Sequence, residues 1–174
     1  MEIRESHLYL LLAFVLAAIV VVGLAVDGPR PTLEGLLELQ VHPARLLNDF
    51  TLVAGDGAAM VNAALVAGIG LLFVHLVDVR LSGPTIAAVF TMLGFGFFGK
   101  TPLNVLPVIA GVAIAARMVG KRFQEYILMA LFGTALVVTY GLPLTAETTT
   151  LANFEQVLFR QSVTARAFLN STLA

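Results

Sequence analysis

Residues 8–26 carry no charge, and Tyr9 is the only side chain among them with a polar atom. At about 1.5 Å per residue such a helix is roughly 28 Å long, close to the roughly 30 Å hydrocarbon core of a bilayer. This run constrains the fold more than any other feature of the chain. A secretory signal is the alternative reading, but its apolar stretch is usually only about 7–15 residues. Four more apolar segments follow, at 57–77, 84–99, 102–118 and 126–142. Hydrophobic residues make up 59 % of the 174-residue chain and charged ones 12 %, against roughly 45–50 % and 25 % in soluble domains. A soluble fold of this size lacks the polar surface to cover itself with such a composition. The expectation is an all-α, polytopic helical membrane protein with about five hydrophobic segments, forming one domain over 1–174.

Composition also narrows function. With no cysteine there can be no disulfide, thiolate metal site or cysteine nucleophile. Ten Lys and Arg against eleven Asp and Glu leave no basic excess for nucleic acid. His7, His42 and His75 lack metal-ligand spacing, and no acid–base constellation suggests catalysis. The chain is expected to be a non-enzyme without cofactor or metal.

Between the first two spans, residues 31–50 alternate leucines with Glu34, Glu38 and Gln40, the pattern of an amphipathic segment at the interface. Pro43 interrupts it. Asp56 stands where an N-cap for the 57–77 helix belongs. On that helix Ala59, Ala63, Ala67 and Gly70 share one stripe, which permits close approach of a neighbouring backbone. The tail 143–174 is polar at first and weakly amphipathic later.

The segments 84–99 and 102–118 are too short for comfortable crossing, at roughly 24–25 Å each. They form either two tilted spans or one re-entrant hairpin. Non-helical backbone survives at membrane depth only inside protein or against a wet cavity, and shortened, Gly/Pro-interrupted pairs point to transport sites. Gly94, Gly96 and Gly99 thin the helix before the break, and Pro102 opens the next. Their G-x-G-x-x-G spacing lacks the strand and downstream acid of a dinucleotide site. Lys100 lies in the break, where an ammonium is either functional or snorkels to the headgroups. Thr101 can cap the next helix, whose N-terminus would attract an anion beside Lys100. Asn104 and Asn62 serve as interhelical glue or as solute contacts, and Asp56 is a further candidate as a partner for Lys100. The expected ligand is a small polar or anionic solute bound by Lys100, Thr101, Asn104, Asp56 and Asn62.

Basic residues divide evenly between the two sides, although Arg117, Lys121 and Arg122 lie close to spans and favour their side as cytoplasmic. So weak a bias permits both orientations and hence an antiparallel homodimer.

Residues 55–63 (GDGAAMVNA), 83–91 (GPTIAAVFT) and 94–100 (GFGFFGK), with Asn104, Pro107, Gly111 and residues 126–135, carry a family resemblance. Over roughly 43–136 the chain is similar to a prokaryotic family of multi-spanning membrane proteins of unknown function. The resemblance implies relatives more than twice as long, of which this chain matches the first half. It would then be a fragment, or a half-size protein that completes itself by homo-oligomerisation. The resemblance supplies no substrate. Two functions are open on sequence: a membrane transporter or channel, as an antiparallel homodimer or one half of a larger inverted-repeat protein, and a non-transporting scaffold joined through its small-residue faces.

Overall fold

The computed structural model describes residues 5–42 and 48–136, and every regular element among them is helical. Helix α1 spans Glu5–Asp27, α2 Pro29–Val41, α3 Phe50–Ala54, α4 Asp56–Leu76, α5 Gly83–Gly96, α6 Pro102–Met118 and α7 Ile127–Leu136, with a 3₁₀ turn at Phe123–Tyr126. Two of these, α1 and α4, are long and apolar enough to cross a membrane. Helices α5 and α6 are apolar but shorter. The second half of the 126–142 segment and the 143–174 tail lie outside the described residues.

Helix α4 is the central rod, with α1, α2, α3, α5, α6 and α7 all packed on it. Its small residues make this possible. Ala59, Ala63 and Ala67 are fully buried. A β-carbon on Gly70 would stand 2.7 Å from Met92 Sδ on α5. Helix α1 lies antiparallel on another face, where a β-carbon on Gly23 would stand 2.8 Å from the Gly57 carbonyl oxygen. Where backbones come this close at small residues, the two helices gain dispersion contacts. The main apolar cluster, including Leu12, Leu16, Val66, Met92, Ile109 and Leu131, joins α1, α4, α5, α6 and α7.

Helix α1 also fastens both ends of the core. The Asp27 carboxylate accepts from the Gly57 amide at 2.7 Å, and the Glu5 carboxylate accepts from the Leu81 amide at 2.7 Å. The first of these corrects the expected capping by Asp56. The N-cap of α4 is Gly55, at φ 89°, and Asp56 is the exposed first helical residue. A capping carboxylate must approach the amides from outside the first turn. Asp27 does so from another helix.

The outer face of α1 stays apolar and uncovered: Leu10, Phe14 and Val21 are each more than 60 % exposed. Helix α2 buries Thr32, Gly35 and Leu39 on its inner side and leaves Leu33, Leu37 and Val41 outward. Gly35 makes this contact possible, since a β-carbon there would lie 2.5 Å from the Ala54 carbonyl oxygen. The segment expected at the interface therefore packs on α4 and α3 with one face and keeps an apolar stripe on the other. Asp49 caps α3, accepting from the Thr51 amide at 3.0 Å.

Helices α5 and α6 run in opposite directions without packing closely on each other: α5 lies on α4 and α7, and α6 lies on α7 and, more lightly, on α4. Ser82 caps the start of α5, and the turn after α6 comes back beside it, Gln124 Nε2 donating to the Asp78 carbonyl at 3.1 Å. The pair thus begins and ends at the C-terminal end of α4. Its tip does not reach the other end. Gly96 packs against Ala63, and Asn62 binds the tip, six residues or about 9 Å in from Asp56. At about 21 Å, α5 is shorter than the roughly 31 Å of α4 by the same amount. The vacant length beside the first turns of α4 is occupied by α2 and α3.

Candidate functional site

A helix that stops in an apolar setting leaves carbonyls without partners, each costly to bury. The tip of the α5–α6 pair meets that demand group by group. Helix α5 stops at Gly96, and a turn closes it with the Lys100 amide donating to the Phe95 carbonyl at 3.0 Å. This six-residue closure needs a left-handed residue before its last member, and Gly99 supplies it at φ 102°. Asn62 Nδ2 donates to the Gly96 and Lys100 carbonyls, both at 2.7 Å. The Phe97 carbonyl accepts from the Phe50 amide of α3 at 3.1 Å. Asn104 Nδ2 donates to the Gly99 carbonyl at 2.9 Å, and Asn104 Oδ1 accepts from the Thr101 amide at 2.9 Å. Thr101 is the N-cap of α6 and Pro102 its first residue, as the sequence pattern suggests.

The asparagines are thereby occupied. Asn62 is fully buried, spends both amide hydrogens on carbonyls, and accepts at Oδ1 from Gln40 Nε2 of α2 at 3.3 Å. Asn104 spends its oxygen and one hydrogen on the turn. The glycines divide by role. A β-carbon on Gly96 would stand 2.5 Å from Ala63 Cα, and Gly99 needs its positive φ, but around Gly94 nothing lies within 4 Å. Gly94 is exposed, so the close approach expected there is absent among the described residues.

Lys100 is 7 % exposed and Thr101 3 %. The lysine does not extend along the surface toward headgroups; it is enclosed by protein at the break, one residue before the N-cap of α6. Asp56, the proposed partner, is exposed on the first turn of α4, and the structure does not bring it into this polar group.

Gln40 is the residue of this cluster that sequence reasoning missed. Because both hydrogens of Asn62 are spent, its oxygen must face α2, so Gln40 must present its amino group. Gln40 Nε2 also donates to the Leu36 carbonyl at 3.2 Å, and Gln40 Oε1 is left buried with no hydrogen-bond partner among the described residues. Asp27 was missed as well. Neither has a local signal, since each acts across more than 20 residues of sequence.

Residues 28–162 match a family model described as protein of unknown function (DUF1576). The match includes the whole of the tip and all the residues that bind it, and begins one residue after Asp27, which caps α4. No curated protein and no solved structure matches the chain.

Proposed function

The chain belongs to the DUF1576 family of proteins of unknown function, and from its own geometry we propose that it is an integral membrane protein forming part of a transporter or channel for a small anionic or polar solute. The bilayer supplies the solvent that the outward apolar faces of α1 and α6 require, with Phe14 70 % and Met118 82 % exposed. The end of α4 that carries Arg80, Arg117, Lys121 and Arg122 is the cytoplasmic one by the positive-inside tendency, in a prokaryotic plasma membrane.

One observation carries the transport reading. An enclosed lysine stands at a helix break recessed from the end of the central rod, a kind of place where ionisable side chains commonly mark a solute path. The solute's negative end would meet Lys100 and the first turn of α6, whose amides favour anions. Thr101 contributes its cap position. Asn62 and Asn104 hold the break open and leave recognition to the lysine. No step of this kind makes or breaks a covalent bond, so no enzymatic role is assigned. A second copy or a second half of the protein would complete the wall of the site.

The test is flux through proteoliposomes holding the full chain, with chloride, acetate, lactate and succinate as probes. The parent should carry at least one of them, Lys100→Ala should lose that flux, and Lys100→Arg should keep part of it. A Lys100→Ala protein that transports at the parent rate, or a parent that carries none of the four, counts against the reading.

A scaffold role has its own support. A shallow cavity of about 380 Å³ lies along the outer side of α5, lined by Thr91, Gly94, Phe95 and Phe98. It would suit a partner helix, and bulky residues at Gly94 would then break a complex without touching flux.

A further inference from the structure

The charges gathered at the C-terminal end of α4 take no part in the helix break or its support. Two segments far apart in sequence meet there. Helix α6 is closed by Gly120 at φ 70°, with the Lys121 amide donating to the Ala116 carbonyl at 2.9 Å. The turn that follows is held by Phe123, packed against the main apolar cluster, and by Gln124 Nε2 on the Asp78 carbonyl. The segment after α4 is held by buried Leu81. Arg80 is thereby brought to the same end of the bundle as Arg117, Lys121 and Arg122.

All four cations are exposed, and none is in an ion pair among the described residues. Of the three carboxylates at this end, Glu5 accepts from the Leu81 amide at 2.7 Å and Glu125 from the Arg122 amide at 3.3 Å, while Asp78 is exposed. The other end of α4, with Asp27, Glu34 and Asp56 against Arg30, carries the opposite sign among the described residues. Apolar surface runs into the cations. Leu103, Ile114 and Met118 share one outward stripe of α6 by helical period, all exposed, and Arg117 adjoins the last of them. On α4, Leu72 and Leu76 are exposed just before the turn to Arg80. A soluble anion or an acidic protein has no use for such stripes. A phospholipid has acyl chains for them and a phosphate for the cations beyond their ends.

We propose that this end of the bundle is a docking surface for anionic phospholipid. The headgroup phosphate meets Arg80, Arg117, Lys121 and Arg122, and an acyl chain lies on the outer stripe of α6. Attraction to anionic lipid is worth about a fivefold change in affinity for each basic side chain near the membrane surface. The surface rests on the chain's being a membrane protein and not on the solute reading of Lys100.

The full chain is purified in a neutral detergent, offered mixtures of phosphatidylglycerol and phosphatidylcholine, and weighed by native mass spectrometry. The parent should retain phosphatidylglycerol in preference. Arg80→Gln should weaken that preference about fivefold, and Arg117→Gln, Lys121→Gln and Arg122→Gln together by up to about a hundredfold. Arg30→Gln, at the opposite end, should leave it unchanged. Met118→Glu, which sets a negative charge on the stripe, should lower retention of both lipids. Equal retention of the two lipids by the parent, or the parent's preference in the triple variant, overturns the surface. Displacement of bound lipid by soluble polyglutamate or by glycerol 3-phosphate overturns it too, and gives the cations to an acidic protein or a free phosphate ester. Lys100→Ala should keep the lipid preference, so a failed flux test leaves this surface standing. A chain that stays soluble without detergent and retains neither lipid defeats the membrane reading and the surface with it.

Discussion

Asn62→Leu isolates what holds the helix break together. Leucine has the same side-chain heavy-atom count and branch point as asparagine but bulkier methyl groups, so the change removes hydrogen bonds without opening a cavity. Asn62 donates to the Gly96 and Lys100 carbonyls, both at 2.7 Å. Each carbonyl left buried and unpaired costs about 1–3 kcal/mol, which for two comes to about 2–6 kcal/mol. Interhelical hydrogen bonds in a bilayer average nearer 0.6 kcal/mol, because the unfolded chain finds other partners there, and two such bonds come to about 1.2 kcal/mol. Between these values the structure favours the larger. Gly96 and Lys100 are buried, and Asn62 has no exposed surface through which water could replace it. The expected loss is about 2–4 kcal/mol. Gln40→Leu removes the 3.3 Å bond to Asn62 and the 3.2 Å bond to the Leu36 carbonyl, but also a buried unsatisfied oxygen, and should cost about 0.5–1.5 kcal/mol. The double variant should cost less than the sum, since the two side chains share the bond between them. With no tryptophan in the chain, far-ultraviolet circular dichroism during denaturant titration in mixed micelles is the suitable readout. An Asn62→Leu protein no less stable than Gln40→Leu would mean that water or other groups satisfy the tip, and the argument for a sealed break would fail.

Three further outcomes follow from the same geometry. Gly96→Ala should destabilise strongly or prevent folding, because its β-carbon would meet the backbone of Ala63 at 2.5 Å, whereas Gly94→Ala should be neutral or stabilising by up to about 1 kcal/mol; equal effects in thermal melts would refute the assignment of the contact. Asp27→Ala should cost about 1–2 kcal/mol, the usual loss of a helix cap, and Asp56→Ala under about 0.5 kcal/mol, in the same titration. Replacing Arg117, Lys121 and Arg122 together with glutamine should mix the orientation of a C-terminal reporter, and an unchanged single orientation would show that these charges do not set it.

How much of this was legible in sequence depends on distance along the chain. Helices α1 and α4 could be read because apolar length is a local property, and their ends fall within a few residues of the expected ones. The break was legible because Gly99, Thr101 and Pro102 each have a backbone preference that needs no neighbour to express it. The stripe Ala59, Ala63, Ala67 and Gly70 was legible from helical period, and all four are buried. Which glycine meets that stripe was not. Gly94 and Gly96 sit two residues apart, about 200° around the helix, so one faces α4 and the other faces outward. Nothing local distinguishes them. The same holds for Asp27 and Asp56: both flank apolar helices, and only the fold brings the first to the Gly57 amide across 30 residues.

The hydrogen-bond accounting at the tip bears on function as well as stability. A broken helix can be held open by solute, by water or by the protein itself. Here Asn62, Asn104 and the Phe50 amide serve the Gly96, Lys100, Gly99 and Phe97 carbonyls, so the break persists whether or not a ligand is present. A site that must bind, release and bind again needs such independence, because a break that closed on release would have to be nucleated anew in each cycle. The groups at the break that would meet a solute are few: the Lys100 side chain, the first turn of α6 and, on α2, Gln40 Oε1. Two of these attract negative charge and one requires a hydrogen-bond donor. A solute that bears both an anionic group and a nearby hydroxyl or amine is the best match to that set. Among the flux probes, lactate should therefore outcompete acetate in the parent and lose that advantage in Gln40→Leu.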